Sequence, residues 1–197
     1  MSLTIAKAFK LSAGLIFALL ELSPSNLQTQ TASAQPAQSI PNLAFIPKTL
    51  EVPGSQQLLL AVAAKGAQIY VCRAMKSAVS VHPNHYEWVL KAPDAVLLNQ
   101  QGQYLGRHYA GPTWEAKDGS KVVAQVKSKA DSQQDSAIPW LLLKARSQEG
   151  NGIFSQVGWI QRVNTVGGKA PTQGCDVTTQ NREVRIKYSA DYFFYGT

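Results

Sequence analysis

Charge is scarce in this sequence of 197 residues: only 16% is Asp, Glu, Lys or Arg, against ~25% in an ordinary globular domain. No run of like charges occurs, which excludes an acidic or basic disordered tail. The formal net charge is +7, but the basic residues, such as Arg73, Lys91, Arg107, Lys144, Arg162 and Lys187, are scattered. Without zinc-finger spacing, a basic helix or an aromatic RNA-binding signature, they do not describe a nucleic-acid binder. They leave room for weak attraction to anionic polysaccharide or lipid head groups. Helical periodicity is weak throughout, and helices long enough to cross between parallel strands are missing, which argues against an α/β fold. Also missing are the strings that mark common chemistries. There is no G-x-S-x-G, no HExxH, no C-x-x-C and no P-loop; Gly167-Gly168-Lys169 lacks the P-loop pattern and reads as a turn. Nothing calls for a cofactor.

Long apolar runs are lacking too. Leu11–Leu20 is ten residues long, too short to span a ~30 Å bilayer as a helix. Preceded by Lys7 and Lys10 and followed by Ala32-Ser33-Ala34, it reads as a cleavable signal peptide over 1–34. A site nearer Ser23–Ser25 is the alternative. The absence of a cysteine at the site speaks against a lipoprotein, and no later segment suits a transmembrane anchor. Residues 35–50 hold three prolines and read as an extended lead-in. A single β-rich domain is expected over 51–197, in an exported, periplasmic or secreted protein.

There are two cysteines, Cys72 and Cys175. In an oxidising compartment they are expected to pair. Closing a loop of that length stabilises by ~4–5 kcal/mol in the chain-entropy model.

Short β-like runs are punctuated by Gly, Pro, Asp and Asn. Residues 67–73 and 86–91 read as strands, and Pro93 cannot donate to a central ladder. Residues 95–98 lead to a turn at Asn99–Gly102 and a run at Tyr104. Residues 121–127 alternate after Asp118-Gly119, a hairpin signal, and Asn151-Gly152 reads as a second tight turn. Residues 138–146 are more continuously apolar than the other runs and read as either a buried strand or a short helix; 56–64 is the best helix candidate. In 183–195, Val184, Ile186 and Tyr188 alternate with Arg185, Lys187 and Ser189. The expectation is an all-β, antiparallel sandwich or barrel with few short helices.

Four tryptophans and a closing Tyr192-Phe193-Phe194-Tyr195 put aromatics on both faces of the last strand. Exposed ones would stack on sugars or apolar ligands; otherwise they form a bulky core. Trp114, Tyr109 and Trp140 are the binding candidates. For catalysis, His108 lies close in sequence to Glu115 and Asp118; an imidazole beside a carboxylate serves as a general base or shares a metal. The competing reading makes Asp118 a turn residue and His108 a satisfied, half-buried one. His82-Pro83-Asn84-His85 offers two imidazoles, which need further ligands to hold a metal; with His108 they would make three.

Taken together, GAQIYVC (66–72), GRHYAGPTWEAKDGSKV (106–122), AIPWLLL (137–143), VGWIQRVNTVGGKAP (157–171), GCD (174–176) and YSADYFFY (188–195) resemble the domain of unknown function 3455 family (DUF-3455). The resemblance covers residues 50 to 195. It implies a largely exported bacterial family with fungal relatives and transfers no activity. The leading expectation is a non-catalytic module that binds an unknown small ligand or envelope polysaccharide. The alternatives are a hydrolase or metal-dependent enzyme using His108 with Glu115 or Asp118, and a structural or stress-related envelope protein.

Overall fold

A computed structural model describes residues 45–75 and 85–197. Among the described residues a 3-10 turn, Lys48–Leu50, precedes eight strands. These are β1 (Gln57–Met75), β2 (His85–Leu98), β3 (Tyr104–Tyr109), β4 (Thr113–Ala116), β5 (Lys121–Ala130), β6 (Trp140–Glu149), β7 (Val157–Gly167) and β8 (Glu183–Gly196). Each pairs antiparallel with its neighbour in sequence, and β1 pairs with β8, which closes the sheet into an up-and-down barrel. Closure removes both sheet edges and decides between the two all-β architectures. Residues 56–64, the helix candidate, fall almost wholly in β1, and 138–146 falls largely in β6. In both, packing on two sides outweighs the weak local helical preference.

The alternation of side chains sets what lies inside. From β8, Tyr188, Ala190, Tyr192 and Phe194 enter the main core with Val62, Ala64, Leu97, Trp114, Val122, Leu143, Phe154 and Ile160. The opposite phase of the neighbouring strands forms a second cluster outside the barrel: Trp140, Leu142, Val163 and Phe193. Leu50 covers it and is wholly buried, with Ile46 and Val52 packed alongside. The buried Gln161 side chain fastens this segment, donating to the Leu50 carbonyl at 2.7 Å and accepting from the Tyr195 hydroxyl at 2.7 Å. Aromatics on both faces of the last strand are thus met by two cores. Phe193 is packed under the lead-in rather than displayed.

Cys72 and Cys175 are joined as expected, with Cα atoms 5.3 Å apart. The bridge ties β1 to the β7–β8 connection. That connection also exchanges backbone bonds with Cys72 through Asn181 and Arg182, and accepts the Trp88 indole N–H at the Gln173 carbonyl. At Asp118-Gly119 the expected turn forms, with Gly119 at φ 82°. The β6–β7 reversal is broader than a two-residue hairpin, and its left-handed residue is Gly150 rather than Gly152. Pro93 does lie inside a strand. It opposes Gln68 of β1, whereas β3 joins β2 only from Ala95 onward, so β2 has one neighbour at that point and the missing N–H is tolerated.

Candidate functional site

In a meander, alternate connections share an end. The β3–β4, β5–β6 and β7–β8 connections lie together; β2–β3, β4–β5 and β6–β7 lie at the other end. At the first end Ile138 and Gly168 cap the axis. The Ile138 amide donates to Gly167, Thr165 donates to the Ile138 carbonyl, and the Tyr70 hydroxyl donates to the Gly168 carbonyl at 2.7 Å. Gly168 has φ 86°, and a Cβ there would press on Tyr188, Ile138 and Gln68. Only glycine lets the chain lie this close over the interior.

The wall is thinner at the side. β3 and β4 form a short hairpin whose tip is Ala110–Pro112, while β2 and β5 on either side run further. Above the tip a cavity of about 290 Å³ opens between them and reaches into the barrel. Leu90 and Pro93, Val126, and Leu141 and Leu143 give it apolar walls, and Trp114 and His108 stand at its inner end. Gln68, Arg162 and Tyr192 complete that end from β1, β7 and β8. Arg162 has the inward phase of Ile160 and is the cross-strand partner of Tyr192.

The inner end is polar and under-bonded. The Gln68 amide nitrogen, the Trp114 indole nitrogen and the Tyr192 hydroxyl, all on residues that line the cavity, are buried without a hydrogen-bond partner, as is the Tyr188 hydroxyl. Buried polar groups are nearly always paired, so three such atoms near one cavity need a cause. The Arg162 guanidinium uses Nε and Nη2 on one acceptor, the Pro139 carbonyl, at 3.2 and 2.8 Å. Among the described residues it has no carboxylate partner. Burial pushes the Tyr188 and Tyr192 phenols above the usual range, and the cation of Arg162 opposes this. Tyr188 and Arg162 stand beside the Tyr192 hydroxyl and act on its titration through hydrogen-bonding and charge, although neither completes a well-formed hydrogen bond to it.

His108 is 2% exposed. Its ring stacks on Trp114, 4.3 Å between centroids and 13° between planes, and Tyr192 meets its edge at 5.3 Å. Burial, with Arg162 adding to it, pushes its pKa down to about 3. The imidazole is therefore neutral at ordinary pH. Nδ1–H donates to the Thr113 carbonyl at 2.9 Å, which leaves Nε2 as an acceptor.

The structure does not bring the two carboxylates of the expected constellation to His108. Glu115 has the outward phase of β4, where it accepts from Arg107 at 3.0 Å and Tyr109 at 2.8 Å. Those bonds, the tyrosine's first, hold its carboxyl below the usual range. Asp118 sits in the β4–β5 turn at the far end. There it accepts from the Ser120 hydroxyl and amide and from the Ile153 amide, which lower its pKa. The physical reason is register: His108 is the cross-strand partner of Trp114, so Glu115, the next residue of β4, faces the other side of the sheet, and Asp118 lies past the end of β4 in the turn.

Of the aromatic candidates, Trp114 lines the cavity, Tyr109 lies outside under the Arg107 guanidinium, and Trp140 belongs to the outer core. His85 is exposed and bonds Glu87 at 2.6 Å; His82 lies outside the described residues. No group of three metal-ligating side chains occurs among the described residues.

Sequence reasoning missed Gln68, Arg162 and Tyr192. The available signal was phase. Gln68 follows Ala64 and Gly66, and Arg162 follows Ile160, at the inward spacing of two, so each places a polar group inside. No curated protein and no solved structure is significantly similar to the chain. A family model described as "Protein of unknown function (DUF3455)" matches residues 53–196, nearly all of the barrel, and the chain therefore belongs to that family.

Proposed function

We propose that the domain is a binding module that takes a small organic ligand through the lateral opening between β2 and β5. One observation carries this reading: an apolar-walled cavity ends on buried polar atoms that the protein itself leaves unpartnered. Binding sites combine apolar walls with a few convergent polar groups, and barrel mouths are a common place for them. An eight-stranded barrel is just wide enough for its side chains or one small ligand. Here the lower interior is filled by Phe154, Phe194 and Val122, and the end near Arg162 is open.

The disulfide supports action outside the cytoplasm, in keeping with a signal peptide over 1–34 and a domain over 51–197. Among the described residues no helix is long and apolar enough to cross a membrane. The strand positions that face outward include Lys65, Arg107, Lys144, Arg185 and Lys187, a pattern suited to water rather than to lipid.

The test is titration of the oxidised protein with a small, uncharged, apolar fluorophore, 1-naphthylamine, followed by its emission and by tryptophan quenching. Saturable binding is expected, and Val126→Trp should abolish it. Val126 is half exposed at the opening, so the larger ring obstructs entry without entering the core. Equal binding by wild type and V126W would overturn the proposal.

A further inference from the structure

The cavity's inner end selects among ligands by the kind of hydrogen bond it leaves open. Gln68 offers an amide N–H₂ and Tyr192 a hydroxyl, both buried to 2% exposure or less and both unpartnered. Arg162 adds a positive charge that no carboxylate neutralises among the described residues, with Nη1 unused by the Pro139 carbonyl. Donors and positive charge outweigh the neutral acceptor at this end, His108 Nε2. Such a set is met by a group with two acceptor oxygens and a negative charge, for which the guanidinium's planar fork is the natural partner.

Facing it, the cavity is apolar and closed on one side by the Trp114 and His108 rings. Its volume of about 290 Å³ holds on the order of ten non-hydrogen atoms, at about 30 Å³ each. Building on the binding reading above, we infer that the ligand is a small organic monocarboxylate. Its carboxylate lies against Arg162, Gln68 and Tyr192, and its apolar, flat body lies along Trp114 between Leu141, Leu143 and Pro93. A neutral isostere lacks the charge Arg162 answers, and a bulkier acid exceeds the space.

The experiment compares phenylacetate with phenylacetamide and 2-phenylethanol by calorimetry on the oxidised protein at pH 7. The three share a body and differ in the head. Phenylacetate is expected to bind at least tenfold more tightly than either neutral compound. In Arg162→Met the preference should fall to within about twofold while the neutral compounds keep their affinity, and Arg162→Lys should recover part of it. The wild-type comparison stands even where a variant fails to fold. Equal affinities in the wild type, or a preference that survives in folded R162M, would overturn the carboxylate assignment. Naphthylamine binding blocked by V126W would in that case still uphold the cavity as a binding site. If neither the fluorophore nor any of the three compounds binds, both readings fall.

Discussion

Acid should destabilise this barrel through one residue. His108 is buried, neutral and held with a pKa of about 3, while in the unfolded chain it returns to about 6.5. Below 6.5 the unfolded state therefore binds a proton that the folded state refuses. The stability contributed by this group is complete above pH 6.5 and is lost as pH falls toward 3. Each pH unit in that window costs about 1.4 kcal/mol. Relative to pH 7.5, the loss from His108 alone is about 3 kcal/mol at pH 4.5 and about 4 kcal/mol by pH 3, out of the 5–15 kcal/mol a domain commonly has. Asp118, Asp176 and Glu115, whose pKa values are lowered by their hydrogen bonds, also lose stability on acidification. The comparison must therefore be with a variant that keeps them. In His108→Gln the side chain still reaches a donor toward the Thr113 carbonyl but carries no titratable proton. Urea unfolding of the oxidised wild type and H108Q at pH 7.5, 5.5 and 4.5 isolates the term. The variant starts less stable, and the gap between the two should narrow by ~2.5–3 kcal/mol from pH 7.5 to 4.5. Parallel pH dependences, or an NMR titration placing His108 near its ordinary midpoint in the folded protein, would refute the reasoning.

Three further outcomes follow from the packing. Cys72→Ser with Cys175→Ser should lower stability by about 4 kcal/mol, since a loop of roughly a hundred residues is freed; thermal melts of the double variant against oxidised wild type measure it. Leu50→Ala should cost about 2–4 kcal/mol, because Leu50 is wholly buried against Trp140, Leu142 and Phe193. It should also raise amide exchange in the 46–52 segment while leaving the cavity able to bind. Gly66→Ala should destabilise by about 1–3 kcal/mol, because a Cβ at Gly66 would run into the Asp94 carbonyl and the Ala95 backbone. A neutral or stabilising result in chemical denaturation would show that β1 and β2 can separate there more easily than the structure implies.

Much of the scaffold was legible before any coordinates. Alternation in 183–195 places Tyr188 and Ile186 on one face and Lys187 on the other because a strand turns each side chain through half a circle. The Asp118-Gly119 turn was legible because only glycine takes φ 82° without strain. The Cys72–Cys175 pairing needed no geometry, since the sequence holds only these two cysteines. Less was legible where burial occurs on both faces. Residues 56–64 look helical because Leu and Ala, good helix formers, dominate them, and they form a strand whose two faces are both covered over part of its length. The 192–195 aromatics could not be divided between two cores until the 46–52 segment was seen to cover the outer one.

The site illustrates the same division. Linear proximity joined His108 to Glu115 and Asp118, and the hairpin register parted them: Glu115 faces outward to Arg107 and Tyr109, and Asp118 lies past the end of β4, in the turn at the opposite end of the barrel. The residues that do converge, Gln68, His108, Arg162 and Tyr192, come from four strands. The sequence by itself determined a β-rich chain, its turn chemistry and its one possible disulfide, because these depend on neighbours along the chain. Only the tertiary structure decided that the sheet closes, that the β3–β4 hairpin is short enough to leave an opening above it, and that four distant polar groups share one end of the interior. Those depend on register between strands, and register is set by the packing of the whole barrel rather than by any local run of residues.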